Sequence, residues 1–245
     1  MSSIVGGRNA VIEILKNDRA AIEKLLLAES SSGDRIEQAR LVASDREIPI
    51  EGTTVDHLSE QTGGNHQGVA VVLEQIHPHT LEDLLRETSA DVSRLFVLDQ
   101  VQDPVNLGKI ARTALYFGFD GIVKTKDRTA PLSRTVLETS VGAAARLPIA
   151  QVTNLQRAMQ QLRDDRYWIV GTSLEADKPI GTVDTDRNLA LVLGNEESGL
   201  RRLTREECDY LVEIPGRGDF DSLNVATAGS IAAYALNPQP DDSEE

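Results

Sequence analysis

The chain has 245 residues and a formal net charge of −14, from 25 Lys and Arg against 39 Asp and Glu. This length allows one large α/β domain, or a core of roughly 150 residues with a smaller companion, and excludes a peptide-like scaffold. The single cysteine excludes an internal disulfide, and the acidic balance argues against indiscriminate binding to nucleic acid, because a polyanion is repelled by a net-negative particle.

The two ends of the sequence suggest where the protein works. The start, MSSIVGGRNA, lacks the apolar stretch of a signal peptide, and no run of roughly 18 apolar residues follows it. We therefore expect a soluble, cytoplasmic protein with no membrane partner. Residues 238–245 combine prolines and acids with nothing apolar, which predicts a disordered acidic tail.

Residues 1–76 are predicted to form a small domain of αβαβ type. A helical pattern follows GGRN, and after it come the apolar run IEKLLLAES, the amphipathic stretch RIEQARLVAS, a short DHLSEQTGG segment and the strand-like GVAVVLEQ. Residues 77–93 have the pattern of a linker with one short amphipathic helix. We expect the boundary between two domains there.

Residues 94–237 are predicted to form a second domain of α/β class. Its six short apolar runs predict buried strands, and they are LFVLDQV, GIVKTK, LPIAQV, YWIVGTS, LALVLG and YLVEIP. Segments with helical spacing lie between them, including NLGKIARTALYFGF, LSRTVLETSVGAAA and NLQRAMQQLRDD. This alternation predicts a mostly parallel sheet with helices on both faces, whose ligands bind beyond the carboxyl ends of the strands.

Common nucleotide and metal motifs do not fit the sequence. Gly194 and Gly199 have the spacing of a P-loop, but Leu200 and Arg201 stand where Lys and Ser or Thr are required. No GxGxxG motif follows a predicted strand. The four histidines and the one cysteine lack the spacing of a zinc site, so we expect no metal.

Three segments place polar residues and glycines directly after predicted strands. In the first, Asn106 is expected to cap a helix whose apolar stripe leaves out Arg112, although a solvated arginine explains that position equally well. In the second, Gly194 permits close approach of a ligand, and Glu196 is a candidate site residue. The alternative is that the Glu196 carboxylate only stabilises the N-terminus of a helix through the helix dipole. In the third, residues 222–224 begin an Ala-rich helix and are candidate site residues. The alternative is that Ser222 only caps this helix and that no ligand binds there.

In this order, the three segments resemble the motifs of the SpoU class of RNA 2′-O-ribose methyltransferases. The resemblance rests on Asn106 through Arg112, on LVLGNEESGL and on IPGRGDFDSLN. It continues through KDRTAPLS, VTNLQRAM, WIVGTS and RRLTREECD, and GGRNAVIEIL and HQGVAVVL are similar to that family's substrate-binding domain. It covers nearly the whole chain outside the tail.

The resemblance implies a fold and a cofactor. The fold is a SPOUT-type, mostly parallel α/β sheet with a C-terminal trefoil knot, preceded by a small RNA-binding domain similar to ribosomal proteins. In the family the knot loops bind S-adenosylmethionine, and the matching positions are Gly194, Ile214, Leu223 and Thr172. Such residues suit an adenine, which needs apolar walls and backbone groups for its polar edge.

The resemblance also implies a reaction and its residues. The reaction is methyl transfer to the ribose 2′-hydroxyl of a guanosine in 23S rRNA by a homodimer, and the matching catalytic positions are Arg112, Asn106, Glu196, Ser222 and Asn224. Because a guanidinium stays protonated in proteins, stabilising the developing 2′-oxyanion is physically easier for Arg112 than acting as a general base. The alternatives are a tRNA or another rRNA nucleotide as substrate, or a non-catalytic RNA-binding or ribosome-assembly protein.

The expected RNA partner is a structured rRNA stem-loop. In the first domain, Arg8, Asn9, His66 and Gln67 are the candidate contacts. Residues 81–150 contain nine basic and nine acidic residues, which makes this stretch the least negative part of the sequence. The basic residues of this stretch are Lys109, Arg112, Lys124, Lys126, Arg128, Arg134 and Arg146, and we expect RNA to meet their local field rather than the net charge of the chain, with phosphate contacts mainly from the arginines.

Overall fold

A computed structural model of the chain describes residues 3–17, 20–75, 77–88, 92–176, 178–218 and 222–237. The chain divides into two compact units, residues 1–78 with 131–147, and residues 79–130 with 148–245. The predicted tail lies outside the described residues, as does part of the predicted linker. Within the described ranges, no helix is long and apolar enough to cross a bilayer, and no group of three or more His, Cys, Asp or Glu could hold a metal ion.

The first unit is built on a four-stranded mixed sheet. Its first elements are β1 (Ser3–Gly6), α1 (Arg8–Leu15), β2 (Ala21–Ala28), α2 (Asp34–Asp45), β3 (Ile50–Thr53), α3 (Val55–Thr62) and β4 (Val69–Gln75). The strand order is β1-β4-β2-β3, with β2 and β3 parallel and β4 antiparallel to β1 and β2. The αβαβ prediction is wrong because it omits β1 and β3, whose four residues each are too few for a periodic signal.

The second unit is built on a seven-stranded sheet. The chain continues through α4 (Leu81–Glu87), β5 (Arg94–Leu98), α5 (Pro104–Tyr116), β6 (Gly121–Thr125), α6 (Arg134–Thr139), α7 (Ala143–Arg146), β7 (Ile149–Val152), α8 (Leu155–Asp164), β8 (Trp168–Thr172), β9 (Lys178–Pro179), β10 (Leu189–Leu193), α9 (Arg202–Glu206), β11 (Tyr210–Glu213) and α10 (Val225–Ala235). The strand order is β7-β6-β5-β10-β8-β11-β9, and every pairing is parallel. This confirms the predicted parallel sheet and its six strands, to which the two-residue β9 adds an unpredicted edge.

The connection between β6 and β7 belongs to the first unit. The sequence predicts helical structure across LSRTVLETSVGAAA, but Val141 and Gly142 have φ angles of 54° and 86° and separate α6 from α7. A Cβ on Gly142 would lie 2.8 Å from the carbonyl oxygen of Ala10, so α7 approaches α1 closely. Arg146 also forms an ion pair with Glu13. These helices therefore pack on the N-terminal residues rather than on the parallel sheet.

Helices cover both faces of the parallel sheet. On one face, α4 and α8 pack on the strands through an apolar cluster that includes the fully buried Met159. On the other face, a Cβ on Gly229 of α10 would lie 2.7 Å from Cδ1 of Leu193. α5 lies beside α10, and the hydroxyl oxygens of Thr113 and Ser230 are 2.8 Å apart. Both helices are therefore fixed where their first turns reach the carboxyl edge of the sheet.

Candidate active site

Three neighbouring strands bring sequence-predicted residues to the carboxyl edge of the parallel sheet. Thr172 ends β8, Gly194 follows β10 and Ile214 follows β11, and these strands are adjacent in the order β10-β8-β11. The Thr172 hydroxyl donates to the carbonyl of Val192 at 3.2 Å, which ties β8 to β10 at this edge. Leu223, the fourth residue matched to a cofactor site, precedes α10 and is 51% exposed.

The loop after β10 is a tight turn closed by its own backbone. Asn195 and Gly199 exchange two backbone hydrogen bonds of 3.0 Å each, and Gly199 has a φ of 65°. A Cβ on Gly194 would lie 2.5 Å from the nitrogen of Leu200 and closer still to the carbonyl carbon of Gly199. Only glycine therefore fits at residue 194 in this conformation.

A hydrogen-bonded network joins the three motifs. Nδ2 of Asn106 donates to Oε1 of Glu196 at 2.9 Å, and Nδ2 of Asn224 donates to Oδ1 of Asn106 at 3.0 Å. Asn106 is 4% exposed, so its amide has exchanged water for these two partners. The fold thus brings together three side chains that lie 90 and 118 residues apart in sequence.

The helix N-caps differ from those expected. Asp103, not Asn106, caps α5, because its carboxylate accepts from the backbone N–H of Val105 at 2.9 Å, and Pro104 occupies the first helical position. Asn106 is thereby freed for the network. At α10 the N-cap is Asn224 rather than Ser222, and its Oδ1 accepts from the N–H groups of the second and third helical residues.

Arg112 and Ser222 stand apart from the network. Both are exposed, and neither side chain makes a hydrogen bond or ion pair with any residue that the structure describes. Arg112 is six residues after Asn106 on α5, which places the two side chains on different faces of the helix. It shares its face with Tyr116, four residues further on, which is 82% exposed.

A supporting layer behind the network is absent from the sequence prediction. Nδ2 of Asn195 donates both to Oε2 of Glu196, at 3.2 Å, and to the backbone carbonyl of Gln100, at 3.0 Å. Next to it, Nε of Arg201 donates to Oδ1 of the fully buried Asp99 at 2.6 Å. An aspartate ending the apolar run LFVLD is the signal that could have revealed this layer, because a buried carboxylate requires a partner.

The basic residues of the stretch 81–150 differ in how far RNA can reach them. Lys124 is 1% exposed, and its ammonium donates to the carbonyl of Thr125 at 3.2 Å. Burial lowers its pKa below the ordinary lysine value. Within the first unit, Arg134 forms an ion pair with Glu138, and Arg146 forms one with Glu13. Lys124 is therefore out of reach of an RNA phosphate, unlike exposed basic residues of the same stretch such as Lys126.

Of the four candidate RNA contacts in the first unit, Arg8 and Gln67 hydrogen-bond to each other and His66 is buried. The backbone N–H of Arg8 donates to Oε1 of Gln67, and its Nε donates to the Gln67 carbonyl, both at 3.1 Å. Nδ1 of His66 accepts from Gly68 N–H at 2.9 Å, and Nε2 lies 3.1 Å from the hydroxyl of Ser59. His66 therefore stabilises the loop that carries Gln67.

Two family models match the chain on either side of the predicted linker. The SpoU rRNA methylase family matches residues 93–234, and the model of RNA 2′-O ribose methyltransferase substrate binding matches residues 4–79. The first match spans more than half of the chain and includes every residue of the network. The chain therefore belongs to the SpoU rRNA methylase family.

Individual relatives extend over almost the full length. The chain is 37% identical over 232 residues to the 23S rRNA (guanosine-2′-O-)-methyltransferase RlmB of Xylella fastidiosa, covering 93% of each chain. It is 36% identical to the RlmB of Pseudomonas aeruginosa, covering 95% of this chain and 94% of that one. An AdoMet-bound rRNA methyltransferase from Sinorhizobium meliloti has a similar structure, with a TM-score of 0.80, 28% identity, and 96% and 86% of the two chains covered.

Proposed function

We propose that this protein transfers a methyl group from S-adenosylmethionine to the ribose 2′-hydroxyl of a guanosine in 23S rRNA. The observation that carries the proposal is the bonded network of Asn106, Glu196 and Asn224 at the carboxyl edge of a parallel sheet. Support for the guanosine and for 23S rRNA comes from the two relatives that carry this activity in their names.

The strand ends after β10, β8 and β11 fit the cofactor. Gly194, Thr172 and Ile214 lie at these strand ends, and Leu223 offers an exposed apolar side chain for an adenine ring. A Cβ on Gly216 would meet nothing within 4 Å, so space lies open above this loop. The cofactor supplies the reactive methyl group, and these residues bind and orient it.

The catalytic residues then act on the ribose. The 2′-hydroxyl becomes a good nucleophile only as it loses its proton, so the transition state carries negative charge on that oxygen. We assign the stabilisation of that charge to Arg112, whose exposed guanidinium has no partner among the described residues. Each carboxylate oxygen of Glu196 accepts one amide hydrogen bond, which fits a positioning role alongside Asn106 and Asn224. Ser222 would contact the ribose or phosphate.

A second copy of the chain completes the proposed site. Tyr116 on α5 and Ile231 and Tyr234 on α10 are exposed apolar residues on neighbouring helices, and Phe117 packs edge-on against Tyr116. Exposed apolar surface of this kind marks an interaction site. Because Arg112 shares the face of Tyr116, a homodimer that covers this surface would bring Arg112 into the interface between the two copies.

The remaining parts of the chain receive roles in the same proposal. Residues 1–76 would grip a structured rRNA stem-loop, residues 77–93 would link them to the rest, and residues 94–237 would form the methyltransferase domain with its C-terminal segment tied in a trefoil knot. The match of residues 4–79 to a substrate-binding model supports the first role. An rRNA substrate also favours a cytoplasmic location.

The test is methyl transfer from labelled S-adenosylmethionine. Unmodified 23S rRNA, 16S rRNA and bulk tRNA are offered separately, and the labelled ribose is mapped at nucleotide resolution. We expect one labelled guanosine in 23S rRNA. Label in tRNA alone would overturn the proposed substrate, and no label in any RNA would overturn the enzymatic activity.

A further inference from the structure

A second cleft opens at the other half of the carboxyl edge, beyond β5, β6 and β7. It has a volume of about 270 Å³, and the residues that matter in its lining are Gln100, Asp127, Arg128, Asn154, Gln156 and Arg201. All of them belong to the second unit. None is among the residues matched to catalysis or to the cofactor, so the cleft has no role in the function proposed above.

The cleft exposes two opposite charges that do not neutralise each other. Asp127 and Arg128 are neighbours and both exposed, yet neither side chain makes a hydrogen bond or ion pair with any residue in the described ranges. Arg128 has a φ of 58°, which is uncommon for a residue with a side chain. The hydroxyl of Thr125 maintains this turn by donating to the Asp127 carbonyl at 2.7 Å. The turn therefore presents both charges separately to the cleft.

One side of the cleft suits an anion. α8 begins there with ten residues, capped by Asn154, whose Oδ1 accepts from the N–H of Arg157 at 3.0 Å. The first N–H groups of a helix have no intrahelical partner and carry partial positive charge, which favours a phosphate. Arg201 adds a guanidinium held in place by buried Asp99, and Arg128 adds one that has no partner in the part of the chain that the structure describes.

The carboxylate of Asp127 selects for the base. Guanine carries two adjacent donors on one edge, N1–H and the N2 amino group, and a carboxylate accepts both in a paired geometry. Adenine and cytosine lack that pair, and uracil has a single ring N–H. The volume of about 270 Å³ is just below the range of roughly 300–1,000 Å³ usual for small-molecule pockets, which suits one nucleotide.

We propose that this cleft binds the guanosine that is methylated, with its base edge on Asp127 and its phosphate on Arg128 and the N-terminus of α8. The inference rests on the proposed function for its RNA substrate. The cleft adjoins the network because the carbonyl of Gln100, one of its walls, accepts from the same Asn195 amide that donates to Glu196. A guanosine held here would lie beside the loop that supports that network.

The binding test uses free nucleotides with the full chain. Affinities for 5′-GMP, 5′-IMP and 5′-AMP are measured by calorimetry or by NMR titration, since IMP differs from GMP only by the missing N2 amino group. We expect GMP to bind about ten-fold or more tightly than IMP, the effect of one hydrogen bond to a charged acceptor. Equal affinities for GMP and IMP, or no saturable GMP binding in the millimolar range, would overturn the proposal.

Two variants assign the contacts, and each has a matched control. Asp127→Asn should bring GMP down to the affinity of IMP, whereas Asp165→Asn, an exposed carboxylate at the end of α8, should leave the preference intact. Arg128→Gln should weaken all three nucleotides by a similar factor, whereas Lys126→Gln, exposed but outside the cleft, should not. A GMP preference that survives Asp127→Asn contradicts the assignment of the base edge.

A second arm separates this proposal from the proposed function. A synthetic rRNA fragment that the protein methylates is remade with inosine at the target, and the loss in kcat/KM is compared between the wild type and Asp127→Asn. We expect a large loss for the wild type and almost none for the variant. If no RNA is methylated but the protein still prefers GMP to IMP, the proposed function is contradicted and the assignment of the cleft as a guanosine site is retained. If RNA is methylated with equal efficiency at guanosine and inosine, the cleft proposal alone fails.

Discussion

The carboxyl edge of the parallel sheet has two halves that offer different chemistry. Beyond β10, β8 and β11 the chain presents glycines, backbone groups and apolar side chains such as Ile214. Beyond β5, β6 and β7 it presents a carboxylate that has no partner among the described residues, two guanidinium groups and a helix N-terminus. The first half can enclose an uncharged adenine, and the second can discriminate a base and hold a phosphate. Under the two proposals above, binding of the cofactor and of the guanosine is divided along one edge, with the network between them.

The largest expected effect tests whether catalysis depends on a residue outside both halves. Arg112→Ala should lower methyl transfer by about 10²–10³-fold, because it removes the positive charge assigned to the developing oxyanion. Affinity for S-adenosylmethionine and for GMP should stay unchanged. Transfer of label to 23S rRNA measures the first effect and calorimetry the second. Arg202→Ala, an exposed cation on α9 with no assigned role, is the control, and unreduced turnover in Arg112→Ala would contradict the role.

The second prediction separates the halves by backbone geometry. Gly194→Ala places a Cβ against Leu200 and Gly199, so the loop must move. We expect affinity for S-adenosylmethionine to fall at least ten-fold and the free energy of unfolding to fall by about 1–3 kcal/mol, the usual cost of overpacking. GMP affinity should hardly change. Gly181→Ala is the control, since its Cβ would meet nothing within 4 Å. Normal cofactor affinity in Gly194→Ala would place the cofactor elsewhere.

The third prediction addresses the network between the halves. Asn224 both caps α10 and donates to Asn106. Asn224→Ala removes both the cap and the donor to buried Asn106, so it should cost about 2–4 kcal/mol of stability and should lower turnover. Asn224→Asp keeps the cap and removes only the donor, so the loss of stability should be smaller, about 1–3 kcal/mol, while turnover falls by about ten-fold. Urea unfolding and initial rates measure the two effects, and full activity in Asn224→Asp would exclude the network from catalysis.

The smallest effect concerns a charge that lies inside the second half. Lys124→Met should raise the free energy of unfolding by about 1–3 kcal/mol, because it removes a poorly solvated ammonium from the interior. Burial lowers the folded-state pKa of Lys124, so the unfolded chain binds more protons and wild-type stability rises as the pH approaches the ordinary lysine value of 10.5. The advantage of the variant should shrink over that range. Urea titrations at several pH values would detect it, and a pH-independent difference would contradict the assignment.

The parallel sheet could be predicted from sequence because its strands are buried on both faces. Runs such as LALVL at β10 stay apolar throughout, which is the pattern that such burial produces. β3 shows the opposite case, since Ile50, Glu51 and Gly52 are all exposed and leave no pattern to detect. The packing partners of α6 and α7 could not be predicted either, because an apolar helix face does not specify which sheet or helix it will cover.

The site was predictable through its motifs but not through its bonds. The resemblance placed Asn106, Glu196 and Asn224 in one site, and the structure adds that they contact each other directly. Capping preference assigned Asn106 the wrong local role, because Asp103 three residues earlier is an equally good cap and precedes a proline. The segments KDRTAPLS, VTNLQRAM and RRLTREECD supply most of the cleft beyond β5, β6 and β7, but the resemblance assigned them no common role, since only the fold assembles these separate loops into one lining.

The packing of residues 131–147 within the N-terminal unit limits what a truncated form of the protein can show. Because α6 and α7 pack on α1 and β1, the sequence between β6 and β7 completes the fold of the N-terminal unit. Removal of residues 1–78 would strip the cover from Ala143 and Ala144, both buried in the whole chain. A truncated catalytic half would therefore start with exposed apolar surface in the middle of its own sequence. Loss of activity after such a deletion would measure misfolding as much as lost RNA binding, so the two roles are better separated by point substitutions in the intact chain.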